Sequence, residues 1–506
     1  MIFLSLKYVN KLFLLKNYTS MRKNKNFIFL LLAGSILLSC ARNPVTGKKE
    51  FMLMSESQEL ALGKESDPGI VAQYGVYNNA QLQAFITDKG KQMAAISHRP
   101  NLPYEFKILD SPVVNAFAVP GGYVYFTRGI MGHFNNEAEF AGVLGHEIGH
   151  IAAKHSAKQY SQQMLTQVLF IGGMIVSEDF RKFADVAQQG IGLLFLKFSR
   201  DHETESDKLG VDYSTKIGYD AHQMAGFFKT LKKLGGDDGS IPTFLSTHPD
   251  PGDRYTKVNQ MATETQKTID ASTLKINRNN YLKMIDGLIY GDDPKQGFVE
   301  NSIFYHPELK FQFTVPTSWK LLNSPSQVQM APSDGKALMI MDLAEGTDLN
   351  TAKNKVIEEN KLSVLESTNI TVNGLPAIAL LSDIVQEVQQ GQEASAPLKV
   401  LTYLIKYNNL IYKFHGLSTK ADFNNYFTNF QSTMRSFKTL TDQSKINKKP
   451  TLIKVVESNK NVTLQQIFND YKMPAAKHNE LAILNGLELN AMVEKGTFVK
   501  VFGGEY

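Results

Sequence analysis

The run Gly145-His146-Glu147-Ile148-Gly149-His150 constrains this 506-residue chain more than any other stretch, because its H-E-x-x-H spacing carries chemistry only on a helix. There, His146 and His150 stand one turn apart on one face. Two imidazoles so placed can bind one Zn²⁺, and Glu147 beside them reaches a metal-bound water as general base. The flanks support the helix. Asn135 or Asn136 can cap it, Glu137 and Glu139 sit in the first turn where the macrodipole favours acid, and Phe140, Val143 and Leu144 supply an apolar face. Gly145 and Gly149 each cost about 1 kcal/mol of helix propensity against Ala. A solvated helix with two incidental histidines gains nothing from them, whereas a close-packed metal site can.

A catalytic zinc needs a third protein ligand and one open position. The next acidic stretch is Ser199-Arg200-Asp201-His202-Glu203-Thr204-Glu205-Ser206-Asp207, leading into helical residues. Glu203 and Asp207 are i,i+4 and share a face, whereas Glu205 points away. One of the pair can bind metal while the other orients a ligand imidazole from behind; His202 is the competing ligand. Further on, Ser246-Thr247-His248-Pro249-Asp250-Pro251-Gly252-Asp253-Arg254 reads as a stiff loop with one His and one Arg. Pro249 fixes its own φ and disfavours helix at His248, so the imidazole is presented from extended chain. His248 or Arg254 is a candidate donor to a developing oxyanion.

Charge excludes little until the N-terminus is set aside. Six of the 54 Lys and Arg residues fall in the first 39 positions, which hold no acid, leaving 48 basic against 49 acidic residues. Nothing in that balance points to nucleic acid. Residues 1–39 read as a lipoprotein signal peptide, with Met21 a candidate true start. Arg22, Lys23 and Lys25 form the basic region, Phe27 to Leu38 the apolar one, and Leu37-Leu38-Ser39-Cys40 resembles a lipobox. Cys40 is the only cysteine, so it makes no internal disulfide, and lipid attachment explains its position. Ala41-Arg42 after it favours, by resemblance to bacterial sorting signals, an outer-membrane anchor facing the periplasm.

Along the chain, Ser55-Glu56-Ser57-Gln58 is a capping box for a helix that Pro68-Gly69 is expected to stop, and a second helix covers about Asn79 to Ile96. Strands follow at Tyr104–Leu109, Val113–Ala118 and, after the Pro120-Gly121-Gly122 turn, Tyr123–Phe126; they could offer a backbone edge to an extended peptide or be a plain core hairpin. The apolar runs Met164–Val176 and Gly190–Phe198 are too short to span a bilayer and suit core helices or a cleft wall. Residues 286–300 have linker composition. Residues 301–440 alternate as strands, then place Phe423, Phe427, Phe430, Met434 and Phe437 on one helical stripe, which is core packing. A polar linker at 441–450 leads to a strand–helix–helix–strand module at 451–506.

Taken in order, these motifs resemble the zinc metalloprotease family that contains the CAAX prenyl proteases and the β-barrel-assembly-enhancing periplasmic protease. The resemblance covers about residues 40–270. It rests on Asn43-Pro44-Val45-Thr46-Gly47, Asn115-Ala116-Phe117-Ala118, Pro120-Gly121-Gly122, the H-E-I-G-H run, Ser199-Arg200 with Glu203 and Asp207, and Thr247-His248-Pro249 with Arg254. It implies that His146, His150 and Glu203 hold one zinc, Glu147 is the catalytic acid/base, Asp207 supports a ligand, and His248 lies near the metal as a closing ligand. It gives His155 no role. The implied fold is α+β: a mostly helical zincin-type protease domain with a small sheet at 40–285, an α+β domain with an antiparallel sheet at 301–440, and the small βααβ module. That module resembles LysM around Leu481–Leu487 and Gly496–Lys500, which implies peptidoglycan only at fold level.

The function these readings imply is zinc-dependent endoproteolysis of unfolded or misassembled envelope polypeptides by a membrane-anchored lipoprotein. Two other classes stay open: a lipid-anchored chaperone, and a peptidoglycan-binding protein built on an inactive protease scaffold. The intact Glu147 argues against a dead site.

Overall fold

A computed structural model describes residues 40–162, 198–235, 243–248, 253–384 and 397–504 of the chain. The signal-peptide stretch, the apolar run Met164–Val176 and nearly all of Gly190–Phe198 lie outside the described residues.

The first strands, β1 (Cys40–Arg42) and β2 (Lys49–Phe51), pair antiparallel ahead of helix α1 (Glu56–Tyr74). Ser55 caps α1 through the expected box, accepting from the Gln58 amide while the Gln58 side chain accepts from the Ser55 amide. The helix does not stop at Pro68 but runs six residues past it. A mid-helix proline costs about 3 kcal/mol. Against it, Ile70 is fully buried among Leu109, Phe117 and Tyr125, and Asp67 accepts from the Tyr125 hydroxyl at 2.8 Å. Tertiary packing overrides the breaker.

Helix α2 (Ala80–Ala95) is capped by Asn79. Three strands follow, β3 (Glu105–Leu109), β4 (Ala116–Val119) and β5 (Tyr123–Thr127), in the order β3-β5-β4. β4 and β5 are a hairpin through Gly121 (φ 87°) and Gly122 (φ 103°), which supply the positive φ the turn needs, and β3 adds parallel to β5. β4 is therefore an edge. A short helix α3 (Arg128–His133) leads to α4 (Glu137–Ala152), which carries the H-E-x-x-H run and has Asn136 accepting from the Glu139 amide at 2.8 Å. Then come α5 (Arg200–Lys216), α6 (His222–Leu234), α7 (Thr243–Thr247) and α8 (Arg254–Gln266).

Residues 301–440 form their own core. A seven-stranded antiparallel sheet packs Phe414, Ile405 and Met339 against Phe423, Phe430 and Met434 of the helix Phe423–Ser436. The whole is α+β, with several antiparallel sheets.

The C-terminal residues differ from a tethered module. Strands Thr451–Glu457 and Phe498–Gly504 pair with each other, and the helices Leu464–Asp470 and His478–Leu484 lie between them in sequence, as expected. Yet the pair gains a third strand, β6 (Ile289–Tyr290), from the stretch expected to be a linker. Ile453, Leu464, Phe468, Leu484 and Val501 join the same hydrophobic cluster as Phe140 and Leu144 of α4. Lys500, fully buried, donates from Nζ to the carbonyls of Gly132 (2.8 Å) and Phe134 (3.0 Å), just before α4 begins. The physical reason is area: some fifty residues bury only a modest share of their own surface, so their apolar faces pack on the core around α4.

One consequence is measurable. Ile453→Ala removes a fully buried side chain from the shared core and should lower the stability of the region around α4 by about 2–5 kcal/mol in denaturant titrations. An effect confined to the C-terminal segment would mean that the two fold separately.

Candidate metal centre

The site rests on how closely α4 and α5 approach. A Cβ on Gly145 would lie 3.0 Å from the backbone of Gly210, and one on Gly149 would lie 3.0 Å from Leu209 Cβ and 3.4 Å from Ser206 Cα. Gly210 returns the contact, its Cβ position being 2.9 Å from the Gly142 carbonyl. The glycines that weaken α4 as a helix are what let α5 seat against it. That approach carries Glu203 and Asp207 to the two histidines.

His146, His150, Glu203 and His248 each offer a donor atom within 4.8 Å of the others, and all four are buried. His146 Nε2 and His150 Nε2 are 3.0 Å apart. Glu203 lies 3.4 Å from His150 Nε2 and 3.5 Å from His146 Nε2. His248 enters from the far side through Nδ1, 3.1 Å from Glu203 Oε1 and 3.3 Å from His146 Nε2. Its other nitrogen faces Glu147 Oε1 at 3.7 Å. The structure thus brings together the motif histidines, Glu203 and His248, with Glu147 alongside.

The residues suit a cation. Both oxygens of Glu147, Glu203 Oε2 and His248 Nε2 are buried with no hydrogen-bond partner among the described residues. Such orphaned acceptors are costly unless something else meets them. Three imidazoles and a carboxylate within this span are the nitrogen and oxygen donors that Zn²⁺ takes.

Electrostatics follow burial. Burial pushes the His150 and His155 imidazoles well below their ordinary range, so both are neutral, as a ligand imidazole must be. Burial also opposes the Glu203 charge, but His248, His150 and His146 together hold its carboxyl well below the usual range. Burial raises the Glu147 carboxyl.

Arg254 and Asp207 form the support behind. Arg254 donates from Nε to Asp207 Oδ2 at 3.0 Å and from Nη2 to Oδ1 at 2.5 Å, a two-pronged grip, and its guanidinium lies 3.9 Å over the Phe228 ring. Asp207 Oδ1 is 2.9 Å from His146 Nδ1. Arg254 is therefore committed to Asp207, with Nη1 3.4 Å from Glu203 Oε2.

Of the competing residues, His202 is not among the four, and Glu205 contacts His155 instead, at 3.0 Å. Sequence reading missed Phe198 and Phe244. Phe244 stacks on His248 at 4.6 Å, and Phe198 packs tilted against His150 with ring centroids 4.1 Å apart. The Phe244 amide donates to the Val114 carbonyl at 3.2 Å, two residues ahead of the edge strand β4. Only the apolar character of Phe198 and Phe244, beside each motif, hinted at them.

An H-E-x-x-H helix, a carboxylate from a following helix and a small sheet with β4 at its edge among the described residues are the elements of a candidate metal-dependent hydrolase site. Residues 80–262 match Peptidase family M48. The chain is 35% identical over 159 residues to mitochondrial metalloendopeptidase OMA1 of Arabidopsis thaliana, covering 31% of this chain and 32% of that one. It is 24% identical over 392 residues to the beta-barrel assembly-enhancing protease of Yersinia pestis (72% and 77%), and 27% identical over 248 residues to metalloprotease YcaL of Escherichia coli (46% and 95%). The chain thus spans about a third of the plant relative, and 77% and 52% of two bacterial relatives with assembly-enhancing names.

Arg254→Met should leave the buried Asp207 carboxylate without its cation. We expect a loss of about 3–5 kcal/mol in chemical denaturation, with Arg254→Lys recovering only part because it cannot grip with two prongs. An unchanged midpoint for Arg254→Met would show that the pair does not hold the site.

Proposed function

We propose that the chain is a zinc-dependent endopeptidase whose metal is held by His146, His150 and Glu203. The observation that carries this reading is the buried His146–His150–Glu203–His248 set with Glu147 beside it, free of hydrogen bonds among the described residues. Zinc bound there supplies a Lewis acid that polarises the scissile carbonyl and eases deprotonation of water. Glu147 Oε1 or Oε2 takes the proton of the attacking water and returns it to the leaving amine. Asp207 accepts from His146 Nδ1 and holds that ring in the tautomer that leaves Nε2 free for metal. The edge β4 offers unpaired backbone groups to an extended polypeptide. His248, or Arg254 if released from Asp207, is the candidate donor to the oxyanion.

Glu147→Gln should abolish casein cleavage while the protein keeps the zinc content of the wild type. Residual cleavage near the wild-type rate would sink the assignment of Glu147 as the base.

His248 supports a restrained resting state. As a fourth ligand it leaves no open position, the arrangement of structural zinc sites, and its ring lies between Glu203 and Glu147. Helix α7, which leads into His248, bonds to the Val114 carbonyl through the Phe244 amide, two residues ahead of β4. Activity then requires an opening step. Under this reading His248→Ala cleaves an unfolded substrate as fast as wild type or faster at matched zinc occupancy. A loss on the order of 10²-fold in kcat would instead make His248 an oxyanion donor.

The biological setting follows from the Cys40 lipobox and the names of the bacterial relatives. We infer a lipid-anchored envelope protease acting on misfolded or unassembled polypeptides at the outer membrane, facing the periplasm. No helix among the described residues is long and apolar enough to cross a membrane, so anchoring in this reading falls to Cys40. Cys40→Ser should leave an unprocessed or soluble precursor; a variant that matures and fractionates with membranes as wild type does would contradict the anchor. A peptidoglycan contact by residues 451–506 is a further part of this reading, resting on the strand–helix–helix–strand order alone.

A further inference from the structure

The two motif imidazoles are held from behind by different chemistry. His146 Nδ1 faces the Asp207 carboxylate, whereas His150 Nδ1 faces Nδ1 of a second imidazole, His155, at 3.0 Å. Two ring nitrogens share a hydrogen bond only if one carries a proton and the other does not. With His150 Nε2 turned to the metal set, its proton belongs on Nδ1, so His155 Nδ1 accepts. The proton of His155 then sits on Nε2, which meets Glu205 Oε2 at 3.0 Å. A carboxylate only accepts, so each link fixes the direction of the one before it.

The ring of His155 is itself held. Ser206 Oγ lies 3.2 Å from its Nδ1, and His202 stacks on it at 4.3 Å with the planes 18° apart. Glu205 is on the solvent side, lining a cavity of about 550 Å³ with Lys48, Lys158, Asp201 and His202. Helix α5 thus serves both histidines of α4. Glu203 reaches the metal face of the site and Asp207 the back of His146, and Glu205 reaches round to the back of His150 through His155.

We propose that His155 and Glu205 are positioning residues for His150, forming a directed relay His150 Nδ1–H to His155 Nδ1 and His155 Nε2–H to Glu205 that fixes the tautomer and ring plane of the ligand. This rests on the zinc reading of the site. Loss of such support behind a metal ligand typically costs about 10–100-fold in metal affinity.

The test uses the full chain loaded with Zn²⁺ and follows metal release to a chromophoric chelator, with the visible spectrum of the Co²⁺-loaded protein as a second readout. His155→Phe keeps an apolar ring but breaks both links, and should release zinc about 10–100-fold faster with altered Co²⁺ bands. His155→Gln can accept from His150 through its amide oxygen and donate to Glu205 through its nitrogen, so it should recover most of the retention. Glu205→Ala, at a partly exposed position that tolerates truncation, should speed release about tenfold and covers the case in which His155→Phe does not fold. Wild-type release rates from Glu205→Ala and His155→Phe would overturn the relay, as would a His155→Gln variant no better than His155→Phe, which marks mere packing. A wild-type chain that takes up no Zn²⁺ would overturn the ligand assignment itself, and the relay with it.

Discussion

Everything at this site depends on the contact between α4 and α5, and that contact depends on missing side chains. Gly142 and Gly145 on one helix and Gly210 on the other bring backbone against backbone, and Gly149 leaves room for Leu209 and Ser206; a Cβ at Gly142 would also sit 2.4 Å from Met224 of α6. About 1 kcal/mol of helix propensity is given up at each glycine. In return, Glu203 and Asp207 reach His146 and His150 without long, entropically costly side chains. The same approach puts Ser206 and Glu205 within reach of His155. One helix pair supplies both the metal set and its support.

The site is closed as well as assembled. Phe198, Phe244 and Phe228 surround three imidazoles, a guanidinium and three carboxylates, so few of these charges meet water. Uncompensated charge in such surroundings is costly. Arg254 offsets the charge of Asp207, and His248 Nδ1 lies 3.1 Å from Glu203 Oε1. Among the described residues Glu147 has no hydrogen bond to either oxygen, which fits a group held ready for a proton rather than one that builds the fold. The C-terminal segment adds rigidity at the other end of α4. Lys500 reaches the carbonyls of Gly132 and Phe134, and Asn136 and the Asn135 amide bind Glu139 in the first turn.

Local features were legible in the sequence; partners across the fold were less so. The α4 helix could be placed from its cap, its acidic first turn and its apolar face because those interactions span four residues. Glu203 was separable from Glu205 by the i,i+4 relation to Asp207, but only the family resemblance ranked it above His202. The persistence of α1 through Pro68 was not legible, since the burial of Ile70 that offsets the proline comes from Leu109, Phe117 and Tyr125 on strands far along the chain. Nor was the His150–His155 contact, because five residues along a continuing helix would not face each other. Lys154 adopts a positive φ of 57° just beyond the end of α4, and that turn brings the His155 ring back. Residues 286–300 read as a linker because their Gly and Asp content hides a two-residue strand whose partner lies 160 residues on. The βααβ order of the tail was visible, while its burial against the peptidase core was not, since period shows which face is apolar but not what covers it.

The central claim is that zinc sits among these side chains with His248 closing the shell. X-ray absorption at the zinc edge of the purified resting protein tests it most directly. The account requires a four-coordinate nitrogen and oxygen shell at about 2.0–2.1 Å, with multiple scattering from three imidazoles. A shell with two imidazoles and a water would show that His248 stands off the metal, and a protein that purifies and reconstitutes without stoichiometric zinc would contradict the account at its root.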